Sequence, residues 1–125
     1  MSLERLDLEQ RRFPRVPFRA RANVLRKNRW LGGLAVENLS QGGAYLSGNA
    51  GLALGERVTL AIHEAELGRV ILTARVVRHD RSLGHSGFAV EFRMPSERTS
   101  GRIRSAIRRR LSQELAQRFA WAESA

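Results

Sequence analysis

Apolar and polar residues alternate along most of this chain with the two-residue period of half-buried strands. From Phe18 to Leu25 the run F-R-A-R-A-N-V-L sets its apolar residues on one side, and Lys27-Asn28-Arg29 reads as a turn. Trp30 to Glu37 is then the returning strand of a hairpin, weakened at Gly32-Gly33, where a bulge or bend is expected. After a polar interruption, Gly43 to Ser47 makes a short strand, and Gly48-Asn49-Ala50-Gly51 and Leu54-Gly55 break the chain again. Three more strands are predicted: Arg57 to Ile62 with Val58, Leu60 and Ile62 on one face, Arg69 to His79 with Val70, Leu72, Ala74 and Val76, and Gly87 to Phe92 with Phe88, Val90 and Phe92. Asp80 to Ser86 joins the last two. Short strands at this spacing with glycine turns point to an antiparallel barrel or sandwich. A barrel would also close the sheet edges that six isolated strands expose.

Past Met94-Pro95 the period changes to 3.6 residues. Ser96 or Thr99 can cap, and Ile103, Ile107, Leu111 and Leu115 recur every four residues, with Ala106 and Phe119 beside them. This predicts one amphipathic helix of about five or six turns, its apolar stripe packed on the strands and Arg108-Arg109-Arg110 mostly on the solvated face. At the other end, Leu3, Leu6 and Leu8 alternate with charges in a segment too short to hold a helix alone, so residues 1–10 read as a flexible lead-in. Residues before proline avoid the helical region. Pro14 and Pro17 therefore make Phe13 and Val16 extended and the arginines around them a loop. The expected organisation is one domain over 11–121, with the barrel at about 18–93 and the helix at about 96–121.

The composition narrows the chemistry. With 125 residues a single domain can bury a core without staples. The chain has no cysteine, which excludes disulfides and thiolate zinc sites, and His63, His79 and His85 have no metal-ligand spacing, so no metal is expected. No apolar run approaches the ~18 residues of a spanning helix, and Met1 to Gln10 lacks the apolar centre of a signal peptide, which predicts a cytoplasmic protein. The net charge of +10 is concentrated at the two ends. An excess of this kind draws polyanions in general: nucleic acid, an anionic membrane surface, a phosphorylated metabolite or an acidic protein.

Two short stretches make the choice narrower. Arg11-Arg12-Phe13-Pro14-Arg15 carries permanent charge in planar forks that suit phosphate oxygens and the O6/N7 edge of guanine. Two dozen residues later, Glu37-Asn38-Leu39-Ser40-Gln41-Gly42-Gly43-Ala44-Tyr45-Leu46 sets a polar turn between apolar runs. Asn38 and Ser40 bond locally, while Gly42 and Gly43 permit φ > 0 and close approach of a ligand. Together they suggest a guanine nucleotide with more than one phosphate.

Arg11 and Arg15 read as RxxxR, and Asn38, Ser40 and Gly43 as [D/N]xSxxG, which resembles the PilZ domain family of bacterial cyclic di-GMP receptors over about residues 9–115. RxxxR recurs at 15/19, 98/102 and 104/108, so the weight falls on NxSxxG and on the order of the two motifs. The resemblance implies a mainly β fold, a six-stranded antiparallel split barrel with a C-terminal helix against it. It implies cyclic di-GMP as ligand, gripped by Arg11, Arg15 and the intervening Arg12. Asn38 would read a guanine edge, Ser40 would bond the nucleotide or fix the turn, and Gly43, with Gly42, would leave room. Asn38 stands where Asp is more familiar and brings a donor where a carboxylate only accepts. The implied role is a receptor without chemistry of its own, changing conformation to regulate a partner protein in motility, biofilm or exopolysaccharide output.

Two other readings stand beside it: a PilZ-like adaptor without nucleotide binding, and a small basic nucleic-acid-binding barrel. The second uses spaced exposed aromatics on its strands, and no strand here shows them. Catalysis lacks a signature, since NLSQG is not a nucleophile elbow and no GxxxxGK[ST] loop occurs.

Overall fold

Each alternating run of the sequence is a strand of one closed antiparallel barrel, ordered β1-β2-β3-β6-β5-β4 with β4 paired back onto β1. The structure, a computed structural model, describes residues 16–82 and 84–124. The lead-in at 1–10 and the arginine segment at 11–15 lie outside the described residues. The strands are β1 (Val16–Arg26), β2 (Arg29–Leu39), β3 (Gly43–Ser47), β4 (Arg57–Glu64), β5 (Gly68–Ser82) and β6 (His85–Phe92), followed by helix α1 (Glu97–Ser124). Strands run further than the apolar alternation shows. The expected connection at Asp80–Ser86 is mostly ladder, with Asp80 opposite Gly87 and Arg81 opposite Ser86.

Period-two burial builds the core. Val16, Phe18, Ala20, Ala22 and Val24 of β1 face inward, as do Val58, Leu60 and Ile62 of β4, Val70, Leu72, Ala74 and Val76 of β5, and Phe88, Val90 and Phe92 of β6. The β1–β2 hairpin closes on Lys27 (φ 48°) and Asn28 (φ 63°), a two-residue turn with both positions left-handed, whose twist matches the strands it joins. The bulge expected at Gly32-Gly33 is present: one residue of β1, Asn23, stands opposite the two glycines, and Gly33 has φ 77°. The loop between β3 and β4 sends Leu52, 5% exposed, into the core.

Ser96 caps α1, its Oγ accepting the Thr99 N–H at 3.2 Å. Ile103, Ala106 and Ile107 are buried against the barrel, where α1 meets β1 and β5. Arg102 donates to the carbonyls of Leu67 (2.7 Å) and Arg69 (3.2 Å), and Arg110 Nε donates to Pro17 O at 3.0 Å. The helix departs from expectation in two ways. Its 28 residues exceed six turns, and Leu111, Leu115 and Phe119 are 38%, 54% and 66% exposed instead of packed. Spacing by four explains the exposure, because each step advances an apolar side chain about 40° beyond a full turn. A stripe that starts on the barrel at Ile103 has wound off it by Leu115.

Candidate functional site

Residues 40–43 carry β2 into β3 and hold themselves shut. Ser40 is 8% exposed and works three ways on Gly43: its N–H donates to Gly43 O (2.9 Å), its Oγ accepts the Gly43 N–H (3.1 Å), and its hydroxyl donates to Gly43 O (3.3 Å). Of the two roles expected for Ser40, fixing the turn is therefore the one its bonds perform. The turn is also tied to the neighbouring strand, since Phe92 N–H donates to Gly42 O at 2.9 Å. Gly43 differs from expectation: its φ is not left-handed, and a Cβ there would run into the Val90 carbonyl of β6. What demands glycine at 43 is the close pairing of β3 with β6.

Asn38 is placed by a bulge. Val36 and Leu39 both point into the core, at 1% and 0% exposure, leaving an even number of residues between them. Glu37 is the extra residue in the β2–β3 register, between Val36↔Leu46 and Asn38↔Tyr45. The bulge turns Glu37 and Asn38 to the outside together. Asn38 is half-buried, and no hydrogen bond among the described residues engages its carboxamide.

Asn38 belongs to one cross-strand row over the outer wall: Pro17 of β1, Asn38, Tyr45 of β3, Ala89 of β6 and Arg78 of β5. Tyr45, the sole tyrosine, lies beneath the others at 8% exposure. Its hydroxyl hydrogen-bonds His85 Nε2 at 3.2 Å, with the two rings stacked at 6.3 Å between centroids. Arg78 Cζ lies 5.8 Å from the ring centroid, and Gly87 leaves the space the phenol oxygen occupies. Burial raises the Tyr45 pKa, reinforced by the negative charge and hydrogen bond of Asp80 and by Glu37, against a smaller opposing effect of Arg78.

Beside this row the outer wall of β1 and β2 is a trough of mixed charge, lined by Arg19 and Arg21 and by Glu37 and Glu64. Arg21, Ala35 and Ser47 stand opposite one another in register, with His63 of β4 on the far side of Arg21. Small Ala35 and Ser47 lower the floor while Arg19 and Arg21 rise beside it, opening a groove of about 760 Å³ that also touches Glu37. Neither Tyr45, Arg78 nor these arginines of β1 stood out in the sequence as site residues. Tyr45, two positions beyond Gly43 on the same strand face, was the one a period-two reading could have found.

Arg11, Arg12 and Arg15 lie outside the described residues, but the point where their segment joins the fold is defined. Val16, bonded to Arg15, pairs with Leu39, and Pro17 pairs with Asn38. The register thus brings the chain after the arginine cluster beside the NxSxxG turn. Among the described residues no three His, Asp or Glu side chains gather where they could hold a metal, and no helix is long and apolar enough to cross a membrane.

A family model described as PilZ domain matches residues 9–111. No curated protein matches the chain. Among solved structures, the chain is similar to the PilZ domain of YcgR from Escherichia coli, solved with c-di-GMP, at TM-score 0.72 and 14% identity over 86% of this chain and 96% of that one. The K. pneumonia MrkH–c-di-GMP complex gives TM-score 0.75 and 17% identity over 87% of this chain and 55% of that one. The Bacillus subtilis inhibitor of motility MotI/DgrA gives 0.69 and 19% over 82% and 52%. The chain therefore spans about half the length of the last two, and at these identities the likeness is one of fold.

Proposed function

The chain belongs to the PilZ domain family, and on that premise we propose that it is a cyclic di-GMP receptor that changes conformation on binding and regulates a partner protein in bacterial second-messenger signalling. The observation that carries this reading is the register of β1 on β2, Val16↔Leu39 and Pro17↔Asn38, which joins the arginine cluster to the fold beside Asn38 and Ser40. Two motifs separated by more than twenty residues serve one place. MotI/DgrA is named for inhibiting motility, and YcgR and MrkH were solved with c-di-GMP; motility, biofilm and exopolysaccharide control are the outputs we propose to be open to this chain.

In this reading Arg11, Arg12 and Arg15 close over the nucleotide, offering guanidinium planes to guanine and charge to phosphate. Asn38 meets a guanine edge with both a donor and an acceptor. Ser40, Gly42 and Gly43 keep the turn in the shape that presents Asn38. Charge-assisted hydrogen bonds contribute about 1.5–3 kcal/mol each, and micromolar affinity needs about 8 kcal/mol. Three arginines and Asn38 reach that even after each immobilised side chain costs about 0.5–1.5 kcal/mol. Arg15 is followed in the chain directly by β1, whose Pro17 carbonyl is held by Arg110 of α1. Closure over the ligand thereby pulls on the helix, which is the element left free to signal.

The test is calorimetric titration of cyclic di-GMP into the purified protein, with Arg15→Ala and GTP as controls. Saturable binding at micromolar concentration or tighter, lost in the variant and absent with GTP, is expected. A folded protein that gives no heat overturns the receptor reading and leaves the adaptor.

A further inference from the structure

We propose that Arg78, on β5, is a further nucleotide-contacting residue, a guanidinium plane held against Tyr45 to stack on the guanine that Asn38 reads. The inference rests on the receptor reading and adds to it a residue that belongs to neither motif.

The first observation is a second bulge. Along β5, Val70, Leu72, Ala74 and Val76 face the core, so uninterrupted alternation would send residue 78 inward as well. Val77 is instead the extra residue between the pairs Val76↔Val90 and Arg78↔Ala89, and it is 41% exposed. The bulge turns Arg78 outward, just as the Glu37 bulge turns Asn38 outward. Both re-aimed side chains fall on the same cross-strand row, Asn38–Tyr45–Ala89–Arg78. Two separate interruptions of the barrel's period thus aim two polar side chains at one patch of its outer wall.

The second observation is how Arg78 is held. Ala89 between Tyr45 and Arg78 has only a methyl group, so the long side chain lies across it and places Cζ 5.8 Å from the Tyr45 ring centroid. Asp80 Oδ2 accepts from Arg78 Nη2 at 3.3 Å. Tyr45 is fixed in turn by His85 and by the space above Gly87. A guanidinium set near the Tyr45 ring and paired to Asp80 through one nitrogen keeps its remaining donors for a ligand, and the side chain is 53% exposed. Asn38 pairs with Tyr45 on the neighbouring strand, about 4.8 Å away, so Asn38 and the Arg78 guanidinium border the same aromatic side chain. Arginine planes stack on bases and bond the O6/N7 edge of guanine, which fits the ligand class already proposed.

The experiment is calorimetric titration of cyclic di-GMP into the wild type, Arg78→Ala, Arg78→Lys and Arg104→Ala, with a thermal melt of each. Arg104 is exposed on α1 and controls for the loss of one positive charge. Arg78→Ala should melt with the wild type and bind about tenfold or more weakly, Arg78→Lys should recover only a minor part, and Arg104→Ala should stay within about twofold. Wild-type affinity in Arg78→Ala overturns this inference while leaving the receptor intact. Full recovery by lysine, or equal weakening in Arg104→Ala, also overturns it, because charge alone would then account for the effect. Absence of binding by the wild type overturns the receptor reading and this inference with it.

Discussion

Asn38 and the pair Ser40 and Gly43 sit in one six-residue stretch and meet opposite surroundings. Ser40 is buried, its hydroxyl and N–H committed to Gly43, and Gly43 lies against the carbonyl of Val90. Asn38 is half-buried on the outer wall with its carboxamide unengaged by the described residues. Residues that read as one motif therefore divide into those that build the turn and one that the turn presents. Loss of binding on mutation means different things at the two kinds of position: collapse of a frame at one, loss of a contact at the other.

The largest effect should come from Gly43→Ala. Its methyl group meets backbone, which cannot swing aside as a side chain can, so overpacking should cost about 1–3 kcal/mol or more and lower the melting temperature by several degrees. Melting at the wild-type temperature would show that β3 and β6 can separate there and that the ligand, not the fold, demands glycine. Ser40→Ala comes next, leaving the half-buried Gly43 N–H without its side-chain acceptor at a cost of about 0.5–1.5 kcal/mol, read by chemical denaturation. Asn38→Ala should leave stability within about 0.5 kcal/mol yet weaken cyclic di-GMP binding about tenfold. Equal destabilisation by the two substitutions would abolish the distinction between frame and contact.

The smallest effect concerns the platform beneath that contact. Tyr45 is the only tyrosine, so its phenolate absorbance can be followed directly. Burial first, and Asp80 and Glu37 after it, raise its folded pKa above the unfolded value of about 10. The associated stability is complete below the unfolded pKa and is lost as pH rises through the folded one. The native protein should titrate above the unfolded chain, and Tyr45→Phe should flatten the alkaline loss of stability. Coincident titration of folded and unfolded protein would mean that the phenol is not held as the outer row requires.

Much of the barrel was legible because one side of each strand is buried and the other is not. Alternation in Phe18–Val24, Val58–Ile62, Val70–Val76 and Phe88–Phe92 marked the inward faces, and each is buried as expected. The bulge at Gly32-Gly33 was legible too, since paired glycines weaken a strand. The helix was legible in kind and only half legible in contact. Ile103 and Ile107 pack, whereas Leu115 and Phe119 do not, because a four-residue spacing drifts around the helix and only the barrel decides where contact ends.

The amino-acid order by itself determined six strands, a C-terminal helix and the order of an arginine cluster and an NxSxxG stretch, because period and residue chemistry are properties of neighbours in the chain. Tertiary structure alone decided which strands meet and in what register, and so brought the chain after Arg15 beside Asn38. It also set the bulges at Glu37 and Val77, which no glycine or proline marks at those positions. A bulge is a mismatch in count between two paired strands, so it exists only once both partners are in place. That mismatch turns Asn38 and Arg78 out of the core and onto a common row.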